Sequence, residues 1–313
     1  MSLRVRQPGV LSLLQDRGRF GQHHLGLTTG GPMDLEAFLL CQRLLGNSAD
    51  CTLLECSFGG LEVEVDTDTL LCVTGADAPL LVNGKPADLW TTHRVHRGDR
   101  VQLGHPQRGC RNYLGVVDGF QVVPQFGSTA TVLREGIGGL RGEKLAPDDV
   151  LPCRSDTRRP RLCVPPAERP HYAGQLTVRV VPGYQQQHFD RLQQRRFYSA
   201  AWSVSQRADR MGYRLEGPEI HCDIAGIVSE GICLGAIQVP ADGQPIVLLN
   251  DRQTIGGYPK LGSAISIDAS RMSQLSPGCT VHFAAVSPHA AHNALHMHHW
   301  RLQHLPLQPL PEE

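Results

Sequence analysis

The sequence predicts a mainly β protein with a few short helices, and three observations carry that prediction. Glycine (33) and proline (22) are frequent in 313 residues, which favours many turns and short strands over long helices. Period-two alternation recurs, as in Leu61-Glu62-Val63-Glu64-Val65 and again from Leu176 to Val181, the pattern of strands with one buried face. Asn83-Gly84 lies between short apolar pieces and is the strongest two-residue hairpin signal.

In chain order, Leu3-Arg4-Val5-Arg6 alternates as a strand and stops at Pro8-Gly9. Gln15-Asp16-Arg17-Gly18-Arg19 follows as a polar, glycine-punctuated loop. Its arginines beside one aspartate suit either a carboxylate-bearing ligand or a loop pinned to its own domain. Residues 33–45 carry Leu35, Phe38, Leu39 and Leu45 at helical spacing. Asp34 and Glu36 sit in the first turn, Arg43 in the last, and Gly46-Asn47 is a fitting stop, so this is the clearest helix of the first half. Leu70–Val73, Val101–Leu103 and Tyr113–Val117 read as strands. Residues 186–198 read as a helix, with Phe189, Leu192 and Phe197 on one face, and residues 276–286 as a closing strand. Asp209 and Arg210 suit either each other or a ligand.

Four segments result: a first β domain over 1–152, an Arg/Pro-rich linker over 153–175, a second β domain over 176–288, and a His-rich tail over 289–313. The halves echo each other. Gly75-Ala76, Gly84-Lys85-Pro86 and Gly98 in the first resemble Gly235-Ala236, Gly243-Gln244-Pro245 and Gly278 in the second, as two copies of one β unit would. The tail's six histidines are expected to form a disordered or variable end, with no metal site, since no acidic partner joins them before Glu312-Glu313.

Charge is balanced, with 30 acidic and 30 basic residues, so no nucleic-acid footprint is expected. No stretch approaches the ~18 apolar residues of a membrane span. Ten cysteines without a Cys-x-x-Cys pair read as buried, reduced thiols of a cytoplasmic protein. No Walker loop is present (Gly84-Lys85 runs into Pro86), no Gly-x-Gly-x-x-Gly opens a helix, and no Gly-x-Ser-x-Gly elbow occurs.

The densest polar stretch is 229–262. It sets Ser229, Glu230, Gln238, Asp242, Gln244, Asn250, Asp251, Arg252, Gln253, Thr254 and Lys260 among short apolar pieces, as a ligand or partner site on a β scaffold requires. Gly256-Gly257 allows backbone paths closed to other residues, and Tyr258 before Pro259 is held extended. Lys260 is one of only three lysines.

Gln15-Asp16-Arg17-Gly18-Arg19, Gly31-Pro32-Met33-Asp34, Gly127-Ser128, Asp209 to Leu215, Gly235 to Pro240, Asp242 to Ile246 and Asp251 to Lys260 together resemble one family over residues 3–287. It is the family of the 5-oxoprolinase C subunit, also described as allophanate hydrolase subunit 2, biotin-dependent carboxyltransferase or Kip antagonist. The resemblance implies two cyclophilin-like β-barrel domains. It implies an ATP-dependent 5-oxoprolinase complex formed with the enzyme's A and B subunits (the latter Kip inhibitor-like), opening 5-oxo-L-proline to L-glutamate. Two alternatives accompany it: a urea carboxylase-like module using biotin supplied in trans, and a non-enzymatic regulator of a Kip inhibitor-like partner. On this reading Asp251, Arg252 and Lys260 are the catalytic candidates. Gln238, Gln244, Gln253, Thr254, Gly256, Gly257, Tyr258, Arg210, Ser229 and Glu230 are the substrate-binding candidates, for a small amide or ureido compound. Gln15, Asp16, Arg19 and Asp34 form a secondary first-domain loop. Two places depart from the family pattern: Asp118-Gly119 stands where Gly-Gly is expected, and the expected Gly-Arg-x-Leu-x-x-Gly-Asp run reads Gly142-Glu143-Lys144-Leu145-Ala146-Pro147-Asp148-Asp149.

Overall fold

The computed structural model describes residues 1–224 and 226–311. It is mainly β with four α-helices, and its chain divides into two compact units. Unit 1 comprises Met1–Gln22, Thr29–Tyr172 and His304–Glu313; unit 2 comprises His23–Thr28 and Ala173–Gln303.

In unit 1 the alternating sequences become two sheets. Val150–Pro152, Ser2–Pro8, Leu61–Val65, Arg100–Leu103, Leu80–Val82 and Lys85–Ala87 form a six-stranded sheet in that order. Leu11–Gln15, Leu53–Ser57, Arg108–Val116, Thr69–Asp77 and Thr92–Val95 form a five-stranded one. Leu3, Val5, Leu61, Val63 and Val65 from the first sheet meet Leu14, Leu54, Leu71, Val73 and Leu114 from the second in one core. The intervening residues of Thr69–Asp77 face the other way, where Thr74 Oγ1 donates to Ala37 O of helix α1 (Leu35–Leu45). Asn83 and Gly84, both at positive φ, make the expected hairpin turn.

Unit 2 is a closed seven-stranded barrel. Its order is Gln175–Pro182, Lys260–Ala264, Ala236–Gln238, Ile246–Leu248, Gly212–Glu216, Trp202–Ala208 and Thr280–Ala285, closed by a parallel pairing of the last strand with the first. Helix α2 (Arg191–Ser199) covers it with Phe197, whose ring stacks on Phe283 at 4.4 Å. Helix α3 (Ser266–Met272), absent from the sequence reading, is held by Asp268, which takes the Arg179 guanidinium at 2.7 and 2.8 Å.

Several expectations are corrected. In α1, Ala37, Leu40 and Leu44 are buried beside Phe38 and Leu45, whereas Leu35 and Leu39 are only half-buried, so the inward stripe is rotated from the one predicted. The 186–198 helix is interrupted: Tyr184–His188 is a 3₁₀ turn, and Asp190 caps α2 by accepting from Gln193 N at 2.9 Å. Leu192, placed on the apolar face, is exposed. Residues 153–172 are not a free linker. Leu162–Cys163 pairs with Gln308–Pro309, and Val164 N donates to Trp90 O, which ties this segment into unit 1. The tail is ordered as well: Pro288–His304 is helix α4. No described helix is long and apolar enough to cross a membrane. All ten cysteines are free, but Cys233 is exposed and Cys51, Cys222 and Cys279 are half-buried.

Candidate functional site

The barrel strand Lys260–Ala264 runs between Ala236–Gln238 and Gln175–Pro182. Pro182 pairs with Gly262, where a Cβ would meet Pro182 Cα and Val181 O, so glycine lets the backbones close up. The chain leaving Pro182 therefore brings Tyr184 and Gln185 beside Lys260. Outside the barrel, Glu230–Gly231 pairs with Ile255–Gly256 as a separate two-stranded arm, with Glu230 opposite Gly256.

These pieces converge on Glu230. Lys260 Nζ and Tyr184 Oη both contact its carboxylate, and Gln185 Nε2 donates to Oε1 at 2.9 Å. Gln185 Oε1 in turn accepts from Lys260 N at 2.9 Å, which fixes the lysine's backbone. The Lys260 ammonium, then Tyr184 and Gln185, hold the Glu230 carboxyl below its ordinary range. The same carboxylate raises the Tyr184 phenol. The cluster borders a pocket of about 340 Å³, also lined by Gly183, Gly231, Gly262, Cys233 and Ser263. Cys233 Sγ and Ser263 Oγ lie 3.2 Å apart on its wall. Its chemistry is one ionised acceptor beside one cation, with glycine walls that leave backbone accessible.

Of the catalytic candidates, only Lys260 borders this pocket. Asp251 is buried and takes Arg210 in a two-point pair, Nε to Oδ2 at 2.8 Å and Nη2 to Oδ1 at 2.9 Å. Of the two readings left open for Arg210, its partner is thus the protein itself, though Asp251 and not Asp209. Asp209 instead caps its own turn, accepting from Met211 N at 2.8 Å. Arg252 is buried against backbone carbonyls, Nε to Ile232 O at 3.1 Å and Nη1 to Leu249 O at 3.2 Å, and burial pulls its guanidinium below the ordinary value. Its own carbonyl accepts from Thr28 Oγ1 at 2.7 Å. Asp251, Arg252 and Arg210 thus brace the loop that leads to the arm.

The substrate-binding candidates divide. Gln238 is buried and pairs in register with Lys260. A Cβ on Gly256 would overlap Ile232 Cδ1 and come within 2.9 Å of Gln238 Nε2, so Gln238 lies under the arm. Thr254 O accepts from Ile232 N and Gly257 O from Ile227 N, which holds the arm together; Gln253 is half-buried on it, while Ser229 and Tyr258 are exposed. Gln244 is not brought to the cluster: it exchanges two hydrogen bonds with Gly217, at 2.9 and 3.1 Å. Tyr184, Gln185, Cys233 and Ser263 escaped the sequence reading. Only the Pro182-Gly183 turn after an alternating strand preceded the first two, which lie just before the helix predicted over 186–198.

The first-half loop holds itself in place. Asp16 accepts from Gly18 N, Ser128 Oγ and Thr129 N at 2.9, 2.6 and 2.6 Å. Arg19, fully buried, reaches the carbonyls of Gln125, Ser128 and Ala130. Gln15 bridges Gly31 N and Thr131 O, and Asp34 caps α1 while accepting from Tyr172 Oη at 2.7 Å. Of the two readings open for this loop, the pinned one is observed: Asp16, Arg19 and Gln15 hydrogen-bond to backbone of their own domain.

Among the described residues, no group of three or more His, Cys, Asp or Glu is placed to hold a metal. On α4, His292 and His296 face each other at 2.8 Å between Nε2 atoms; Glu312 and Glu313 lie outside the described residues.

The family model for the carboxyltransferase domain, subdomain A and B, matches residues 25–285. The chain is 35% identical to the 5-oxoprolinase C subunit of Escherichia coli K12 over 91% of both chains, and 33% identical to that of Haemophilus influenzae over 88% of both. Among solved structures it resembles the K. lactis urea amidolyase at a TM-score of 0.91 and 25% identity; the match covers 100% of this chain but only 20% of that protein. It also resembles TTHA0988 at a TM-score of 0.82 and 33% identity, over 90% of this chain and 55% of that one.

Proposed function

The chain belongs to the carboxyltransferase domain family, subdomain A and B, and on that premise we propose that it serves as the C subunit of an ATP-dependent 5-oxoprolinase, reading its substrate's amide at the Glu230–Lys260 pocket. The carrying observation is the pairing of one ionised acceptor with one cation at the wall of a small pocket. A lactam presents a carbonyl and an N–H on the same edge. Glu230 accepts the N–H. Lys260 has three donor hydrogens, so one can stay on Glu230 while another meets the carbonyl oxygen. That oxygen gains negative charge as the amide is activated, and a fixed ammonium stabilises it there more than in the ground state. Tyr184 and Gln185 keep Glu230 ionised and in place. The similarity to two 5-oxoprolinase subunits over nearly their whole length supports hydrolysis of a lactam over other chemistry.

The pocket's residues do not fit a nucleotide triphosphate. Its one cation is already paired with Glu230, and no glycine-rich phosphate loop occurs in the chain. ATP is therefore assigned to the A and B subunits. The likeness to urea amidolyase favours one second reading, a carboxyltransferase acting on a ureido compound with biotin carried on another chain.

The test is reconstitution. The purified chain is combined with the A and B subunits, and ATP-dependent glutamate formation from 5-oxo-L-proline is followed. Turnover that needs this chain supports the proposal. Absent turnover with tight binding of the Kip inhibitor-like B subunit would make the chain a regulator, and carboxyl transfer from carboxybiotin would establish the second reading.

A further inference from the structure

Helix α4 (Pro288–His304) carries the six histidines of the chain's last stretch. Four of them, His289, His292, His296 and His299, recur at steps of three and four, so they form one row along the helix, and all four are exposed. Ala291, Leu295 and Leu302 lie on another side of α4 and are half-buried or buried. The expectation of no metal here goes with a disordered tail, in which two imidazoles would have to be brought together at an entropic cost. The helix meets that cost in advance.

Two members of the row already touch. The Nε2 atoms of His292 and His296 are 2.8 Å apart, with ring centroids at 4.3 Å and ring planes crossing at 79°. Two neutral imidazoles at that distance share a proton, one nitrogen donating and the other accepting. A metal ion can take that proton's place when the donor ring carries its hydrogen on Nδ1 instead, which leaves both Nε2 lone pairs free. Bonds from a metal to imidazole nitrogen are about 2.0–2.1 Å long, so two such nitrogens stand about 2.8–3.0 Å apart at a right angle and about 3.3–3.4 Å apart at a tetrahedral one. The observed separation fits the right angle, which belongs to square-planar and octahedral ions.

We propose that His292 and His296 form a two-imidazole clamp for a divalent transition metal of right-angle geometry, Ni²⁺ or Cu²⁺. Among the described residues no group of three or more His, Cys, Asp or Glu forms a metal set. The clamp is therefore an open site, whose other positions go to water or to a donor from outside the chain. By joining residues four apart, the ion staples one turn of α4. Neither histidine lines the Glu230–Lys260 pocket, so the clamp is independent of the function proposed for that pocket.

The test titrates the full chain, free of any affinity tag, with NiCl₂ in a calorimeter. Saturable binding of a single ion per chain, reversed by EDTA, is expected. His296→Gln should weaken it by at least about tenfold, since losing even an outer-shell partner of a metal ligand costs that much. His171→Gln, exposed in unit 1, should leave it unchanged. Both variants alter exposed side chains, so their metal-free Tm should match the parent's. At this pair, read as the difference between parent and His296→Gln, Zn²⁺ should bind more weakly than Ni²⁺, and tighter Zn²⁺ binding would overturn the right-angle assignment. Absence of saturable binding, or a His296→Gln chain that binds like the parent, overturns the clamp. Equal weakening by His296→Gln and His171→Gln overturns it too, since that marks diffuse chelation by surface histidines.

Discussion

Lys260 and Asp251 look alike in the sequence, two charged residues in one polar run, yet they have opposite surroundings. Asp251 is locked to Arg210 inside the protein, and removing one partner of such a pair costs about 3–5 kcal/mol. Asp251→Asn should therefore lower Tm markedly and reduce activity through lost folded protein. Lys260→Ala should lower Tm only slightly, since a partly exposed ion pair contributes about 0–1 kcal/mol, and should cut turnover of the reconstituted complex about 100-fold or more. Thermal melts beside rates decide between them, and the reverse pattern would move the chemistry to Asp251. Glu230 carries a pH prediction. Its carboxyl is lowered in the folded chain, so the unfolded chain binds the proton more tightly and the cluster stabilises the fold above the ordinary carboxylate pKa of about 4.3. That contribution fades as pH falls through the lower folded value. The Tm difference between parent and Glu230→Gln should be constant from neutral pH down to about 5 and shrink below it. A difference that shrinks on the alkaline side would contradict this assignment.

At the scale of turns and strands, two of the residues that depart from the family pattern, each standing where a glycine is expected, are aspartates held at positive φ, Asp118 at 58° and Asp148 at 67°. Glycine is the usual residue there because a Cβ is strained in that region. Each aspartate has its own compensation. Asp118 takes Arg159 and Arg154 from the segment 153–172 and donates its N–H to Asn47 Oδ1. Among the described residues, the Asp148 side chain takes the exposed Arg6 at 3.1 Å, a contact worth about 0–1 kcal/mol. Asp148→Gly should be neutral or stabilising by up to about 1 kcal/mol, whereas Asp118→Gly should destabilise; equal effects in denaturant titrations would disprove the distinction. The paired glycines of the two halves behave alike: Gly75 and Gly235, Gly84 and Gly243, and Gly98 and Gly278 are all at positive φ. A Cβ on Gly75 or Gly235 would overlap a backbone carbonyl oxygen, of Arg111 and Ala264 respectively. The echo between halves thus has a backbone cause, since each marker glycine sits at positive φ, where a Cβ is strained.

For the molecule as a whole, the chain's last stretch matters more than its composition suggests. Leu305 is buried, its carbonyl accepts from Arg43 Nη2 at 2.9 Å, and Gln308–Pro309 pairs with Leu162–Cys163. Deleting residues 305–313 should cost unit 1 about 2–3 kcal/mol, mainly the burial of Leu305, read as an earlier first transition in thermal melts; an unshifted transition would refute it. Patterns of short range were legible without coordinates: the strands from period-two alternation, the hairpin from Asn83-Gly84, α1 from its cap and stop, and the importance of 229–262 from its crowding of polar types. Those features arise from contacts between near neighbours, which sequence spacing records. Which charged residues meet in the pocket was not legible, because Glu230 joins Lys260 only through the arm and barrel strands, and Tyr184 and Gln185 arrive from 46 and 45 residues away on another strand's exit. Nor does composition separate a buried brace from a pocket group: Arg252 and Lys260 are both cations, and only the barrel's closure sends one inward to carbonyls and leaves the other facing an open cavity.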